Sequence, residues 1–547
     1  MASIELNGEC VEAPEGGNLL LAAHTVGVHI PHLCYHPGLS APVNCRLCVA
    51  AVGRGEERRL VPACDVPVSE GLVVDTLADD VAQARAEALE FLLVGHALDC
   101  PVCAKAGECE LQNYVSAHGR DEGRYAEDAH SHQKTDLGPR IRLYADRCID
   151  CSRCIRFCDE VAQSGELARV DRGEQAHVGV FPGRVLDNPL AGNVVDLCPV
   201  GALVEKDAHL GPPVWQLRGV DSICSGCSAG CNVRVDVHRE KVIRVKPRFN
   251  PEVNDYWLCD GGRYGWQNAD EAQRVHHPLI RRGQEFAQVE WDEALAQVDK
   301  RMALCEGEAI AASFSANSTN EEAYLFAHLV RDIWRARWVM LRGCQDSEGD
   351  QHFGGGFTIR ADKTPNARGV ADVAAQLAVE FLSPDRIWPE MAEGRVRAAF
   401  FLAGHPRERL TEAEREALAG VEFLVVQTAF ESELSQMASV VLPGATAFEK
   451  TGTFTNVDGR VQCNRRIVLP PGLAWPDWRI LSRLGQAAGL HWTYDDPTEI
   501  AVALGEQQVA ALTEVPEGRS GQVYGGGWAT RLQRLGFIHV EDHSKRV

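Results

Sequence analysis

Fifteen of the 20 cysteines stand in four ordered groups within the first half of this 547-residue chain, and His96 completes the one group that has three. Cys34, Cys45, Cys48 and Cys64 are spaced C-x10-C-x2-C-x15-C. His96, Cys100, Cys103 and Cys109 read H-x3-C-x2-C-x5-C. Cys148, Cys151 and Cys154 form a C-x2-C-x2-C run with a remote partner in Cys198, which precedes Pro199. Cys224, Cys227, Cys231 and Cys259 read C-x2-C-x3-C-x27-C. Thiolates in runs of this kind imply a chain built around redox metal, because soft sulphur ligands at fixed spacing suit iron-sulphur chemistry.

The groups imply different clusters. A loop that wraps a small cluster and receives one ligand late is the pattern of a plant-type ferredoxin, so the first group is expected to hold [2Fe-2S]. Three thiolates and an imidazole suit a His/Cys3 [4Fe-4S] site at the second. The third, a local trio with its fourth ligand before proline, suits a ferredoxin-like [4Fe-4S], and the fourth is another trio with a remote closer. A lone CxxC pair would be read first as zinc. The stacked C-x2-C-x2-C trio argues otherwise, since it crowds a tetrahedral ion but fits the corners of a cubane. Disulfides would matter in an exported protein, but no export signal is visible at the N-terminus.

A net charge of −22 argues against a nucleic-acid partner, because backbone binding rests on Lys and Arg neutralising phosphates. No direct membrane span is expected: the long uncharged stretch from 16 to 35 contains Pro31, His24, His29 and His32, unlike the ~20 apolar residues a span needs. The chain is expected to stay in the cytoplasm. The length prior allows about three or four domains.

Periodicity places the clusters on elements. Residues 1–78 read as a small β-rich ferredoxin: strand-like Ala2, Ile4 and Leu6, a helix over 19–26, the cluster loop, then strands over 46–52, 60–64 and 72–74. A helix follows, capped by Asp79 and Asp80, with Val81, Ala84, Ala88, Phe91 and Leu92 at helical spacing. Residues 118–140 read as a polar loop in which His130 and His132 are solvated. Val233, Val235 and Val237, then Val242 and Val245, mark two strands beside the fourth group. From 273 on, strands at 309–312, 396–402 and 423–426 alternate with helices at 320–335, 412–419 and 431–438, which predicts a parallel sheet with helices on both faces. The runs Gly354-Gly355-Gly356 and Gly525-Gly526-Gly527 lack a phosphate-binding pattern and read as flexible turns. The expected boundaries are 1–78, 79–140, 141–214, 215–272 and 273–547.

The chain resembles the large peripheral iron-sulphur subunits of respiratory complex I, the G-type subunits of NADH-quinone oxidoreductases. Ile30-Pro31-His32-Leu33-Cys34-Tyr35-His36-Pro37-Gly38-Leu39, Cys45-Arg46-Leu47-Cys48, Pro62-Ala63-Cys64, His96-Ala97-Leu98-Asp99-Cys100-Pro101-Val102-Cys103 and Arg147-Cys148-Ile149-Asp150-Cys151-Ser152-Arg153-Cys154-Ile155-Arg156-Phe157 carry the likeness. In the second half His277-Pro278-Leu279-Ile280-Arg281, Trp291-Asp292-Glu293-Ala294-Leu295, Val440-Val441-Leu442-Pro443 and the run from Gly452 through Gln462 are similar to the molybdopterin oxidoreductase superfamily. The resemblance implies an N-terminal β-grasp [2Fe-2S] ferredoxin, His/Cys3 and ferredoxin-like [4Fe-4S] domains, and a truncated molybdopterin-oxidoreductase-like α/β domain. The expected cofactors are one [2Fe-2S] and three [4Fe-4S] clusters, with no molybdopterin. It further implies relay of single electrons from a flavin subunit that oxidises NADH to the iron-sulphur subunits of the quinone module, with the chain peripheral on the cytoplasmic face of the inner membrane through those partners. By the family pattern the fourth cluster lies off the main path.

Two rivals share parts of this array. A catalytic subunit of an NAD-linked Mo/W formate dehydrogenase needs a metal-ligating Cys beside a His, whereas Cys344 is followed by Gln345, and Cys259 by Asp260-Gly261-Gly262-Arg263 rather than the lysine of catalytic relatives. The electron-input subunit of an NAD-linked hydrogenase would share only the first three clusters. Cys158 extends the third run to C-x2-C-x2-C-x3-C; Cys198 is assigned as the ligand and Cys158 as a buried or near-cluster thiol. Cys10, Cys305, Cys344 and Cys463 are expected in the core as small hydrophobes.

Overall fold

The computed structural model describes residues 1–125, 134–173, 176–207, 211–268, 273–344, 346, 348–402, 409–505 and 509–511. His130, His132, Gln345 and the run at 525–527 lie outside them. The described chain forms two compact units, Met1–Leu217 with Phe353–Phe357, and 218–352 with 358–511.

The first unit begins with the hairpin β1 (Ala2–Leu6) and β2 (Glu9–Ala13), then α1 (Leu19–Thr25), β3 (Val49–Val52), β4 (Arg59–Pro62) and β5 (Val73–Asp75). These strands form one mixed sheet in the order β2-β1-β5-β3-β4, with β1 and β5 parallel. Ala2, Ile4 and Leu6 alternate inward and pack with Leu19, Leu20 and Ala23 of α1, as a period-two strand facing an amphipathic helix requires. Asn18 caps α1 by accepting from Leu21 N–H at 3.2 Å, while its Nδ2 donates to the Cys64 carbonyl at 2.6 Å. The helix start and the late-arriving cysteine are therefore fixed by one side chain. The strand expected over 46–52 begins only at Val49, because Val43 and Arg46 take positive φ (58° and 52°) in the cysteine loop.

Helix α2 (Asp79–Leu93) leads to the second group. Asp79 and Asp80 lie inside its first turn; Ala78 holds the cap position and Asp75 Oδ1 accepts from the Leu77 and Ala78 amides. The expected apolar stripe is also rotated: Val81, Arg85, Leu89 and Glu90 are buried and Phe91 is 74% exposed. The inner face accepts Arg85 because its guanidinium donates to the Thr76 and Val49 carbonyls at 3.1 and 2.8 Å, and a buried charge with partners is tolerated. Helix α3 (Glu110–His118) follows, then the short strands β6 (Thr135–Asp136) and β7 (Ile141–Leu143) and helix α4 (Arg153–Arg156), which continues as a π-helical turn over Phe157–Val161. The strands β8 (Leu167–Val170) and β9 (His177–Val180) pair with each other, α5 (Asn193–Leu197) delivers Cys198, and β10 (Leu203–Glu205) joins β7. Gly355 and Gly356, at φ 68° and 81°, turn the chain within 353–357. A Cβ on Gly354 would lie 1.9 Å from the Glu160 carbonyl oxygen, so this run is a close backbone contact as well as a turn.

The second unit opens with the antiparallel sheet β11 (Arg218–Ile223), β12 (Asn232–His238) and β13 (Lys241–Pro247), then α6 (Asp260–Tyr264). A larger sheet is assembled from β14 (Leu279–Arg282), β15 (Glu285–Gln288), β16 (Ile310–Ser315) and β17 (Trp338–Arg342). The small pair β18 (Gln351–His352) and β19 (Thr358–Ile359) intervenes before β20 (Ala398–Leu402), β21 (Phe423–Thr428) and β22 (Val440–Pro443) complete that sheet. Its order is β15-β14-β22-β21-β20-β16-β17, with β22 through β17 parallel and β14 and β15 antiparallel at one edge. Alternate residues bury into two cores. Ala398, Phe400 and Leu402 join residues of α7 (Trp291–Ala303), α8 (Asn320–His328), α9 (Ala367–Gln376) and α13 (Asp477–Ala487) on one side. Ala399 and Phe401 join α10 (Pro384–Ala392), α11 (Glu412–Ala419) and α12 (Glu433–Met437) on the other. The predicted doubly covered parallel sheet is present. The hairpin β23 (Gly452–Thr455) and β24 (Val461–Asn464) and helix α14 (Pro497–Leu504) complete the unit. Among the described residues no helix is long and apolar enough to cross a membrane.

Candidate iron-sulphur sites

The first group is built by the loop between α1 and β3 together with the turn after β4, and all four thiols are buried. Cys34 and Cys45 form one sulphur pair and Cys48 and Cys64 a second. Hydrogen bonding from Cys45 holds Cys34 low, at about 6, while Cys45 is pushed well above its ordinary value. Cys48 is raised by its bond with Cys64 and by burial. The Leu33 amide donates to Cys45 Sγ at 3.5 Å, and Ala63 N–H to the Cys48 carbonyl at 2.8 Å, which ties the late ligand's turn to the loop.

The second group occupies the loop between α2 and α3. Cys109 stands at the N-cap of α3, and burial raises Cys103 and takes Cys109 up to about 11. His96 is buried, which holds its imidazole below the ordinary value and therefore neutral, and its Nδ1 has no partner. A neutral ring with an unpartnered buried nitrogen is the form that ligates metal.

Around the third group, Leu143, Cys148, Cys151, Cys154, Cys198 and Val200 line one cavity. Asp150 and Ser152 take positive φ between the cysteines (51° and 57°), which turns the Asp150 amide onto Cys148 Sγ at 3.4 Å. Burial raises Cys148 and Cys154 and pushes Cys151 up to about 12. Cys158 is fully buried in the π-helical turn, bonded to Ser164 and close enough to raise Cys154 further.

The fourth group sits in the second unit. Cys224 follows β11, Cys231 precedes β12, and Cys259 caps α6 by accepting from the Gly262 amide at 3.3 Å. Gly226 N–H donates to Cys224 Sγ at 3.3 Å, and a Cβ on Gly262 would come within 2.8 Å of that sulphur. Burial raises Cys224 and Cys231 and takes Cys259 up to about 11.

This chemistry fits iron-sulphur clusters. Burial raises many of these thiols, so cationic iron taking the place of their protons would supply the partner their thiolates otherwise lack, and amide N–H groups aimed at sulphur are the donors that stabilise a bound cluster.

Three arginines to which the cysteine spacing assigns no role connect the first three groups: Arg147, Arg153 and Arg156, all within or beside the Cys148–Cys154 run. Their position among the cysteines was the available signal. Arg147 pairs with Asp99 of the second loop, at 3.0 Å from Nε to Oδ1. The Ala97 amide donates to the Asp146 carbonyl at 2.9 Å, and Glu110 N–H to the Pro199 carbonyl at 3.1 Å. The third group thus borders the second, and Arg156 Nη2, donating to the Cys34 carbonyl at 2.5 Å, ties it to the first.

Of the remaining cysteines expected in the core, Cys305 packs against it, and Cys10 and Cys344 depart from the expectation. Cys10 and Cys344 are exposed and Cys305 and Cys463 half-buried. Cys10 lies on the outward side of the edge strand β2, with Ser3 Oγ at 2.9 Å; a thiol is tolerated there because no packing is asked of it. A separate buried polar cluster fills part of the second unit, where Lys450 Nζ donates to Glu322 Oε2 at 2.8 Å and Asp477 Oδ2 at 3.0 Å.

The sequence matches, by family description, the 2Fe-2S iron-sulfur cluster binding domain at 1–79, the NADH-ubiquinone oxidoreductase-G iron-sulfur binding region at 85–124, the ferredoxin-like domain of NADH-quinone oxidoreductase subunit 3 at 138–204, the NADH-ubiquinone oxidoreductase NDSU1/NuoG-like 4Fe-4S domain at 217–267, and molybdopterin oxidoreductase at 274–362 and 339–487. It is 28% identical to the mitochondrial NADH-ubiquinone oxidoreductase 78 kDa subunit of Candida albicans, over 92% of this chain and 85% of that one. It is 36% identical to the NADH-ubiquinone oxidoreductase 75 kDa subunit of Reclinomonas americana, over 55% and 43%, and 34% identical to the NADH-quinone oxidoreductase G-type subunit of Rickettsia bellii, over 61% and 48%. The matched stretch spans less than half the length of these last two relatives. Among solved structures, a chain of an NAD+-reducing [NiFe]-hydrogenase in the H2-reduced state shares 30% identity at a TM-score of 0.36, covering 39% of this chain and 91% of that one.

Proposed function

Because this chain is a homologue of the G-type subunits of NADH-quinone oxidoreductase and of the 75–78 kDa subunits, we propose that it is the electron-relay subunit of a respiratory NADH:quinone oxidoreductase, complex I. In this reading it accepts electrons from a flavin subunit that oxidises NADH and passes them to iron-sulphur subunits of the quinone module. It is peripheral on the cytoplasmic face of the inner membrane, held there by those partners.

The proposed ligands are Cys34, Cys45, Cys48 and Cys64 for [2Fe-2S], and for three [4Fe-4S] clusters His96 with Cys100, Cys103 and Cys109; Cys148, Cys151, Cys154 and Cys198; and Cys224, Cys227, Cys231 and Cys259. Clusters held there would supply one-electron carriers between a two-electron donor and a distant acceptor. The chain's own residues exclude water from the sulphurs, orient amide N–H groups at Cys45, Cys148, Cys224 and Cys259, and hold three groups against one another. No molybdopterin is expected, and the fourth group lies off the main path.

The observation that carries this reading is the interlocking of the first three cysteine groups within one compact unit. Metal analysis and EPR of anaerobically purified protein test it. The expected result is one binuclear and three cubane clusters without molybdenum or tungsten; stoichiometric Mo or W with pterin sinks it.

A further inference from the structure

The three arginines of the third loop divide their contacts by neighbour. Arg147 donates to Asp99 and, at 3.4 Å, to the Gly201 carbonyl, joining the second and third groups. Arg156 donates to the Cys34 carbonyl at 2.5 Å and the Cys151 carbonyl at 3.5 Å, joining the first and third. Arg153, only 1% exposed, reaches all three. Its Nη1 donates to the Leu197 carbonyl at 3.2 Å, and its Nη2 donates to the Tyr35 carbonyl at 2.8 Å and lies 3.5 Å from Glu110 Oε2. Leu197 precedes Cys198, Tyr35 follows Cys34 and Glu110 follows Cys109. One guanidinium therefore contacts the immediate neighbour of a sulphur in each of three groups.

Given the relay function proposed above, we infer that Arg153 is a shared positioning residue that sets the reduction potentials of the first three cluster sites together. An electron arriving at any of these sites adds negative charge, and a nearby cation favours that state. A guanidinium stays charged at every working pH, and its charge is screened far less when it is buried than when it is exposed. Its planar fork also lets one side chain satisfy carbonyls lying in different directions, whereas a lysine would keep the charge without the fork. Glu110 is the counter-charge: it tempers the cation, so removing each partner shifts the sites in opposite directions. One cation shared by adjacent sites shifts their potentials in the same direction.

Potentiometric EPR titration of the intact iron-loaded protein tests the assignment. With Arg153→Met, the midpoints of the first, second and third sites shift negative together, and Arg153→Lys restores most of the shift. Glu110→Gln moves the three midpoints positive, and Arg156→Met moves only the first and third. Movement of a single midpoint in Arg153→Met, or a Lys variant shifted as far as the Met variant, overturns the inference. If Arg153→Met fails to hold iron, Arg153→Lys and Glu110→Gln carry the test: unmoved midpoints in Glu110→Gln overturn it. An unsubstituted protein without iron signals would instead overturn the proposed function, and this inference with it.

Discussion

Gly201 faces the sulphur of Cys103 so closely that a Cβ on the glycine would lie 2.2 Å from Sγ. The third group's turn, three residues past Cys198, is thereby one wall of the second group's site. Gly201→Ala is expected to abolish the second site's EPR signal and lower iron by about one cubane's worth, with the first and third signals retained. Full retention of the second signal would show that the loop can retreat.

His96 gives a ligand test that leaves the backbone alone. Its buried, unpartnered Nδ1 predicts that His96→Ala loses the second cluster. His96→Cys keeps a cluster but shifts its signal and lowers its potential, because a thiolate brings a negative charge that imidazole lacks. An unchanged EPR spectrum in the Cys variant would eliminate His96 as a ligand.

The raised thiols fix the direction of a pH effect. Burial takes Cys109 and Cys259 to about 11 and Cys151 to about 12, above the ordinary 9.0. In iron-free protein these groups contribute stability below about pH 9 that is lost as pH rises through about 11 to 12. Iron bound as proposed would hold the same sulphurs as thiolates, so loading would release protons and become more favourable with rising pH. The gap in melting temperature between loaded and iron-free protein is expected to widen from about pH 9 toward about pH 11. A gap that narrows would contradict the protonation assigned here.

Lys450 is the buried cation between Glu322 and Asp477. Lys450→Met leaves two carboxylates without their partner, which costs about 3–5 kcal/mol. Chemical denaturation followed by tryptophan fluorescence is expected to show the loss, with the signals of the first three clusters unchanged. A loss below about 1 kcal/mol would place the carboxylates in contact with water.

A Cys259 variant tests the proposal that the fourth group lies off the relay. Cys259→Ser is expected to remove the fourth cluster's signal while NADH-to-quinone turnover of the assembled complex stays at most of its original rate. Complete loss of turnover in a stably assembled complex would put the fourth site on the path.

What the sequence carried in short-range form was legible in it. The alternation of Ala2, Ile4 and Leu6 and the βαβ rhythm of 309–438 depend on near neighbours, and those strands and helices form there with ends shifted by a few residues, the helix expected over 320–335 being α over Asn320–His328 and a π-helical turn over Leu329–Ile333. The rotated face of α2 was not legible, because Arg85 is buried only by virtue of carbonyls at Val49 and Thr76. Strand β11 was missed, since Arg218 and Asp221 interrupt its alternation and only pairing with β12 makes it a strand. The glycine and arginine contacts around the sulphurs are likewise products of distant segments meeting: nothing local in Pro199-Val200-Gly201 announces Cys103.

The turn at 353–357 has a bearing on how such a chain could be shortened. These five residues belong to the compact unit of the first 217 residues, and Gly354 lies on the Glu160 carbonyl at a distance no side chain permits. A cut after Leu217 would therefore strip the first unit of a piece of its own wall.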